Sequence, residues 1–273
     1  MFSDSAARVL KEFVFTRPVT LSGGGMFPMG DDMKLMKGRI RFDASAGRVR
    51  YPLLGTTLDL GRTKGEVLIS PQWVVVDKMM GTIWDGTFTG RILAQIDDGD
   101  ALNGSFVLQD MNLTSIGKSY DKKMEKATVH GAIEFSSKGG NMNSIQAKGE
   151  AALVHGDLVE IPLFGFLGEA LSNYIPGLGH LINYKISRAD CDFSIEKGYV
   201  RTSNFAAQGS NMSLEGGGWI RLSDLQVNSD FKLGLRGLPG FITSPVFLLA
   251  GGLFQVRGTG LSLIHISEPT RRR

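Results

Sequence analysis

The alternation of apolar and polar residues between Cys191 and Leu235 constrains the fold of this chain more than any other feature. A period of two is typical of β-strands that have one face in water and the other face in a dry environment. We interpret Lys197-Gly198, Gly209 to Asn211 and Gly216 to Gly218 as chain reversals, because glycine tolerates the positive φ angles of tight turns. The alternating apolar positions are Cys191, Phe193, Ile195, Met212, Leu214, Ile220, Leu222, Phe231, Leu233 and Leu235.

The first 113 residues carry similar strand signals about every 8 to 12 residues, which is typical of a meandering antiparallel sheet. Gly23-Gly24-Gly25 is interpreted as a turn in this region. The predicted strands are Thr20-Leu21, Arg39 to Phe42, Arg48 to Tyr51, Thr57 to Leu60, Glu66 to Ile69, Trp73 to Val76, Thr87 to Ile96 and Ser105 to Leu108.

Residues 65–90 and residues 191–216 match each other at one constant offset, which places Trp73 on Tyr199 and Gly90 on Gly216. Both segments consist of an introducing strand, a second strand, and a return with the pattern glycine, x, hydrophobic, x, glycine. We predict that the two segments are copies of one motif that is reused to extend a sheet.

A second block between Lys126 and Leu171 carries the resemblance to a known family. Ile145, Ala147, Gly149, Ala151 and Leu153 share one phase of a strand, and Gly156-Asp157, Pro162-Leu163 and Gly165 follow. Together with the strand order after Ile195, this block resembles the C-terminal region of the AsmA-like family of bacterial envelope proteins, over roughly Gly65 to Gly260. The order Gly156-Asp157 reverses the commoner Asp-Gly of that family.

The resemblance implies a mainly β fold, namely an extended, curled antiparallel sheet that is open like a taco or β-sandwich-like, with a few short capping helices. We expect residues 1–125 to form a β-meander and residues 126–260 to form the AsmA-like C-terminal region. Apolar spacing predicts helices near 164–184 and 241–254. We interpret these helices either as lids over a sheet core or as an exposed apolar surface that meets membrane or lipid.

Both ends of the chain look unlike the rest. Residues 261–273 resemble the translation of an adapter used in preparing sequencing libraries, so we predict that they are artefactual. The resemblance implies that a membrane anchor lies upstream of Met1 and tethers the full-length protein to the inner membrane.

The charges and the reactive side chains do not indicate an enzyme or a nucleic-acid-binding protein. The net charge is +3, and three arginines of the suspect tail contribute to it, so we predict no nucleic-acid partner. His130, His155 and His180 each stand alone, so we predict no catalytic residue, metal site or cofactor. The segment from Asn112 to Ser119 lacks the first glycine of a phosphate-binding loop and is interpreted as a polar turn or a single helical turn.

The single cysteine, Cys191, lies on the inward phase of a strand and is interpreted as a small buried hydrophobic residue.

The dry side of the predicted strands carries apolar residues, and in AsmA-like proteins such a side forms a trough in which acyl chains lie. The resemblance therefore implies a fragment of a periplasmic, inner-membrane-anchored protein that shields or conducts lipid and assists outer-membrane assembly. The partners would be phospholipid or another envelope lipid, the membrane through the anchor, and envelope assembly proteins. The alternative is a closed β-sandwich or β-helix module of an adhesin or binding protein, with no role in lipid binding. The predicted lipid-facing residues are Phe88, Ile92, Ala94, Ile96, Ile145, Leu153, Phe193, Ile195, Phe231, Leu233 and Leu235.

Overall fold

The described residues form almost entirely antiparallel β-strands and a single helix, which confirms the predicted mainly β fold. A computed structural model describes residues 14–26, 36–44, 49–53, 56–95, 101–119, 126–138, 144–154, 186–209, 212–223, 226–235, 253–259 and 264–266. The strands are β1 (Val14–Phe15), β2 (Thr20–Met26), β3 (Lys37–Asp43), β4 (Val49–Leu53), β5 (Thr56–Leu60), β6 (Thr63–Ile69), β7 (Trp73–Ile83), β8 (Gly86–Gln95), β9 (Ala101–Asn112), β10 (Thr128–Ser137), β11 (Gln146–Val154), β12 (Ile186–Glu196), β13 (Tyr199–Gly209), β14 (Met212–Arg221), β15 (Val227–Leu235), β16 (Leu253–Thr259) and β17 (Ile264–Ile266), and the helix α1 is Leu113–Ser119.

The chain divides into two compact units. The first unit holds β1 to β9, α1 and nearly all of β10. Its main sheet has the order β10-β9-β8-β7-β6-β3-β2, and β1, β4 and β5 form a separate small sheet in the order β1-β4-β5. Every strand predicted from the sequence before Leu113 is present, but β3 pairs with β6, and β4 and β5 belong to the small sheet, so the strands do not all follow one meander.

The second unit holds most of β11 and all of β12 to β17, in the order in which they follow along the chain. The helix predicted near 164–184 lies outside the described residues. Most of the helix predicted near 241–254 also lies outside the described residues. Its last two residues, Leu253 and Phe254, begin β16 instead. The short strand β17 lies within residues 261–273 and pairs with β16.

Two tight turns with left-handed residues connect neighbouring strands. Trp84 and Asp85 have φ angles of 50° and 62°, and together they join β7 to β8. Lys197 and Gly198 have φ angles of 52° and 75° and join β12 to β13, as predicted. Two-residue turns with positive φ at both positions match the right-handed twist of antiparallel strands.

Two glycine runs predicted as turns are in fact strands. Gly23 to Gly25 lie in the middle of β2, and Gly216 to Gly218 lie in the middle of β14. A Cβ atom on Gly216 would lie 2.8 Å from Cα of Phe231, and one on Gly217 would lie 2.8 Å from Cα of Ser203. Glycine is required in β14 because the neighbouring backbones come close, and the prediction of a turn was wrong for this reason.

The repeat predicted from the sequence is confirmed by the pairing of the strands. The strands β7 and β13 both have 11 residues, and β8 and β14 both have 10. Trp73 pairs with Gln95 in the first copy, and Tyr199 pairs with Arg221 at the equivalent position of the second copy. The register shifts once in each copy, between Val76 and Met79 in β7 and between Thr202 and Phe205 in β13.

Candidate functional site

One face of the main sheet in the first unit is apolar across six described strands, and we call it the inner face. Its members follow from the register, because residues directly opposite each other in antiparallel strands lie on the same side of a sheet. Within the described residues the inner face carries no charged side chain. Its side chains larger than glycine from β3 to β9 include Ile40, Phe42, Val67, Ile69, Val74, Val76, Met79, Ile83, Phe88, Ile92, Ala94, Leu102, Phe106 and Leu108.

Phenylalanine rings lie over glycines of the neighbouring strand on this face. A Cβ atom on Gly65 would lie 2.8 Å from the ring of Phe42, and one on Gly81 would lie 2.7 Å from the ring of Phe88. The same arrangement places Phe106 beside Gly90, and Phe135 of β10 beside Gly104. Such pairs pin the strand register and fill the space that a glycine leaves empty.

The rings form a row across three strands. The ring centroids of Phe88 and Phe106 are 6.4 Å apart, and those of Phe106 and Phe135 are 6.1 Å apart with nearly parallel planes. Both distances lie in the range of favourable aromatic contacts. The rings of Phe88, Phe106 and Phe135 therefore form a continuous aromatic row from β8 to β10 on the inner face.

One margin of the inner face is covered, and the rest of it is half-buried. At the β7–β8 turn, Ile83, Phe88 and Met111 form a buried cluster with Leu58 of β5. Ile116 of α1 packs against the same cluster. Towards the other ends of the strands, Val74, Ile92 and Ala94 are only half-buried. The small sheet and α1 thus cover the margin at the turn, and apolar side chains remain accessible along the rest of the face.

Hydrogen bonds hold α1 in place over this margin. Asn112 caps the helix, because its Oδ1 accepts a hydrogen bond from the backbone N–H of Thr114 at 2.9 Å. Trp84 Nε1 donates to Ser119 Oγ at 2.9 Å, and Ser115 Oγ donates to Asp85 Oδ2. The segment interpreted as a polar turn or a single helical turn is therefore a helix of seven residues, and it is anchored to the β7–β8 turn.

The opposite face of the first sheet, which we call the outer face, carries charged side chains together with apolar ones such as Leu68, Val75 and Leu93. Glu66 is buried there, and its Oε1 lies 3.5 Å from Nε of Arg39 and 3.4 Å from Nε of Arg41. Arg91 lies 3.6 Å from Asp77 on the same face. Both arginines beside Glu66 are largely exposed, so the pairs are partly screened by water. The two faces therefore differ in charge, although Val75 on the outer face is buried as well.

The second unit repeats this division. Phe193 and Ile195 of β12 lie on the face that Val200 and Phe205 of β13 occupy, and Phe205 meets Phe231 of β15 at a centroid distance of 5.5 Å. Gly216 lies between these two rings in the register, which repeats the pairing of phenylalanine with glycine. We call this the inner face of the second unit, and no described side chain on it is charged.

The outer face of the second unit carries a cluster of aromatic and cationic side chains. The rings of Tyr199 and Trp219 meet edge to face at 5.3 Å. The guanidinium of Arg201 lies 4.9 Å from the ring of Tyr199, and that of Arg221 lies 5.9 Å from the ring of Trp219. Arg221 also donates to Oε1 of Gln226 at 2.6 Å.

Six of the eleven predicted lipid-facing residues lie on the inner faces. Phe88, Ile92 and Ala94 share the inner face of the first unit, and Phe193, Ile195 and Phe231 share that of the second. Phe88 is only 5% exposed, because the cover at the margin buries it.

Leu153 is half-buried in β11, and the half-buried Ile145 directly precedes that strand. Gln146, Lys148 and Glu150 of the alternate positions are exposed. Leu233 and Leu235 pair with Leu214 and Met212 in the register. Ile96 lies outside the described residues. Sequence reasoning missed the contribution of β3, β6, β9 and β10, although the glycine opposite each phenylalanine is a signal that could have found Phe42, Phe106 and Phe135.

The isolated reactive side chains have local structural roles. His130 accepts a hydrogen bond at Nδ1 from the backbone N–H of Asp110, at 3.3 Å. Burial raises the pKa of the Cys191 thiol, and the charges of Asp192 and Asp190 raise it further. Cys191 is half-buried, so the prediction that it is buried was wrong: β12 leaves this face partly accessible.

Among the described residues, no group of three or more His, Cys, Asp or Glu side chains is arranged to hold a metal ion. Among the helical residues that the structure describes, no helix is long and apolar enough to cross a membrane. No family model, curated protein or solved structure matches the chain.

Proposed function

We propose that the inner faces bind the acyl chains of lipids, in a periplasmic AsmA-like protein that shields or conducts lipid and assists outer-membrane assembly. The resemblance described from the sequence supplies this setting: an inner-membrane tether, phospholipid or another envelope lipid as ligand, and envelope assembly proteins as partners. The site residues supply the chemistry of binding.

The observation that carries the proposal is the comparison of the two copies of the repeat. On the inner face, Val74 corresponds to Val200 and Met79 corresponds to Phe205, although Val76 corresponds to Thr202. On the outer face, Val75 corresponds to Arg201, whereas Leu93 corresponds to Trp219. Apolar side chains at equivalent positions of two inner faces without a described charge support a common task of these faces.

Hydrocarbon fits the inner face better than a polar ligand does. Transfer of each CH₂ group from water to an apolar surface contributes about 0.8 kcal/mol, and Ile92, Ala94 and Val74 are accessible enough to receive it. Within the described residues the inner faces offer no charge to bind a head group. Binding would therefore depend on chain contact along the face, while head groups stay in water.

Photo-crosslinking from two adjacent residues of β9 tests the proposal. Phe106 is half-buried on the inner face, and Val107 is 43% exposed on the outer face. Each is replaced in turn by p-benzoylphenylalanine in the chain expressed in a bacterial periplasm, and the irradiated protein is analysed by mass spectrometry. We expect a phospholipid adduct from position 106 and none from position 107. Equal labelling at both positions, or no adduct at either, would contradict the proposal.

A charge on the inner face provides a second test. We expect Ile92→Asp to reduce the phospholipid that co-purifies with the chain. An ionised carboxylate loses its hydration when hydrocarbon covers it, and this loss is unfavourable. Thr89→Asp is the matched control, since Thr89 is exposed on the outer face of the same strand. A folded wild-type protein free of lipid would favour the closed binding module instead.

A further inference from the structure

Within the described residues, β2 is an edge strand, and it lacks the features that usually prevent another strand from pairing with an edge. Within the described residues it pairs only with β3, residue for residue from Thr20 opposite Asp43 to Met26 opposite Lys37, with no shift in register. All seven of its residues are exposed. Its sequence, TLSGGGM, contains no charge and no proline. Natural edge strands usually carry lysine, proline or a bulge, which prevent another strand from pairing.

We propose that β2 pairs with β2 of a second copy of this chain and forms a two-fold symmetric dimer. Two identical antiparallel strands that pair about a central residue are related by a two-fold axis. When this pairing is centred on Gly23, each of the seven residues of β2 lies opposite a residue of the second copy. Thr20 lies opposite Met26, Leu21 opposite Gly25, and Ser22 opposite Gly24. No like charges meet, because β2 has none.

This register joins the inner faces of the two copies. Leu21 pairs with Phe42 and Gly23 pairs with Ile40, so both lie on the inner face. In the proposed pairing they lie opposite Gly25 and Gly23 of the second copy, which are on its inner face too. A shift by one residue would turn the second copy over and place its inner face on the wet side. Leu21 opposite glycine also repeats the arrangement of a large side chain over glycine seen within the sheet.

The dimer would be weak, and its formation would depend on concentration. A pair of seven-residue strands buries less than a standard interface, which covers about 1,200 to 2,000 Å². We therefore expect monomer and dimer to exchange between about 1 and 100 µM protein. Leu21 is 65% exposed and Met26 is 61% exposed, so pairing would remove apolar surface from water.

Sedimentation velocity of the wild type and the Ser22→Lys/Gly24→Lys variant tests the pairing. In the proposed register each new lysine lies opposite a lysine of the second copy, so the charges repel. Gly24 accepts a side chain without collision, because a Cβ atom there would meet nothing within 4 Å. Thr87→Lys/Thr89→Lys is the control, with the same charges at the same spacing on exposed positions of β8. We expect the edge variant to be monomeric at about 100 µM, whereas the wild type and the control dimerise.

Mixing with a variant of opposite charge makes the test specific to the register. Ser22→Glu/Gly24→Glu should be monomeric alone and should form a heterodimer with Ser22→Lys/Gly24→Lys, because opposite charges then face each other. Circular dichroism checks that each variant is folded. A monomeric wild type at about 100 µM, or a dimer that survives the edge lysines, would overturn the proposal. Either outcome leaves the crosslinks at positions 106 and 107 unaffected, so the two proposals fail independently.

Discussion

At the scale of single residues, glycines determine how closely the strands approach each other. Gly24→Ala and Gly216→Ala test this with the same substitution in two environments. A Cβ atom at Gly216 would lie 2.8 Å from Cα of Phe231, whereas one at Gly24 would meet nothing within 4 Å. We expect Gly216→Ala to reduce the free energy of unfolding in urea by about 1 to 3 kcal/mol, because the neighbouring backbone at Phe231 must move to make room for the methyl group. Gly24→Ala should leave it nearly unchanged, and equal losses would refute the argument.

The reactivity of Cys191 is also determined by its surroundings. Because burial and the neighbouring carboxylates raise the pKa of the thiol, little thiolate is present at neutral pH. We expect Cys191 to react with a disulfide reagent more slowly in the folded chain than in the same chain unfolded in urea, and the rate to rise at higher pH. Because the folded state binds the thiol proton more tightly, this contribution to stability is complete below the unfolded pKa and is lost as the pH rises through the higher folded pKa. A folded thiol that reacts as fast as the unfolded one would contradict this.

At the scale of elements, β5 and α1 form a cover that packs against a buried hydrophobic cluster of the first unit. Met111 is 3% exposed and contacts this cover, whereas Val107 in the same strand is exposed on the outer face. We expect Met111→Ala to reduce the free energy of unfolding by about 2 to 5 kcal/mol, because a cavity forms in the cluster. The control Val107→Ala should cost far less. Comparable losses in chemical denaturation would show that the cover does not stabilise this margin.

The helix itself gives an optical signal for the same element. Trp84 Nε1 donates to Ser119 Oγ at the end of α1. We expect Ser119→Ala to cost about 0.5 to 1.5 kcal/mol of stability and to shift the fluorescence of Trp84, since the indole loses a polar partner. Ser119→Thr keeps a hydroxyl and should largely restore both signals. No change in emission in Ser119→Ala would place the indole outside this contact.

At the scale of the whole molecule, the two copies of the repeat predict two equivalent contributions to lipid binding. Val74 and Val200 occupy equivalent half-buried positions on the two inner faces. We expect Val74→Asp and Val200→Asp each to remove about half of the co-purified phospholipid, with additive losses in the double variant, because the sites are independent. Quantitative lipid mass spectrometry measures the effect. Loss confined to one of the two variants would limit binding to one unit.

The sequence by itself determined the β class, the positions of most strands, the Lys197-Gly198 turn and the repeat. Each of these depends on neighbouring residues along one strand or turn, through the period of two and the φ preference of glycine. The inward phase of Phe88, Ile92 and Phe193 was predictable for the same reason.

Only the tertiary structure decided which residues of different strands face each other. The glycines of β2 and β14 looked like turns because the backbone approach that requires them comes from strands distant in sequence. The cover of the inner face by β5 and α1, and the rows that pair Phe106 with Gly90 or Phe135 with Gly104, depend likewise on register between strands. Register is a property of pairs of strands, and no single segment encodes it.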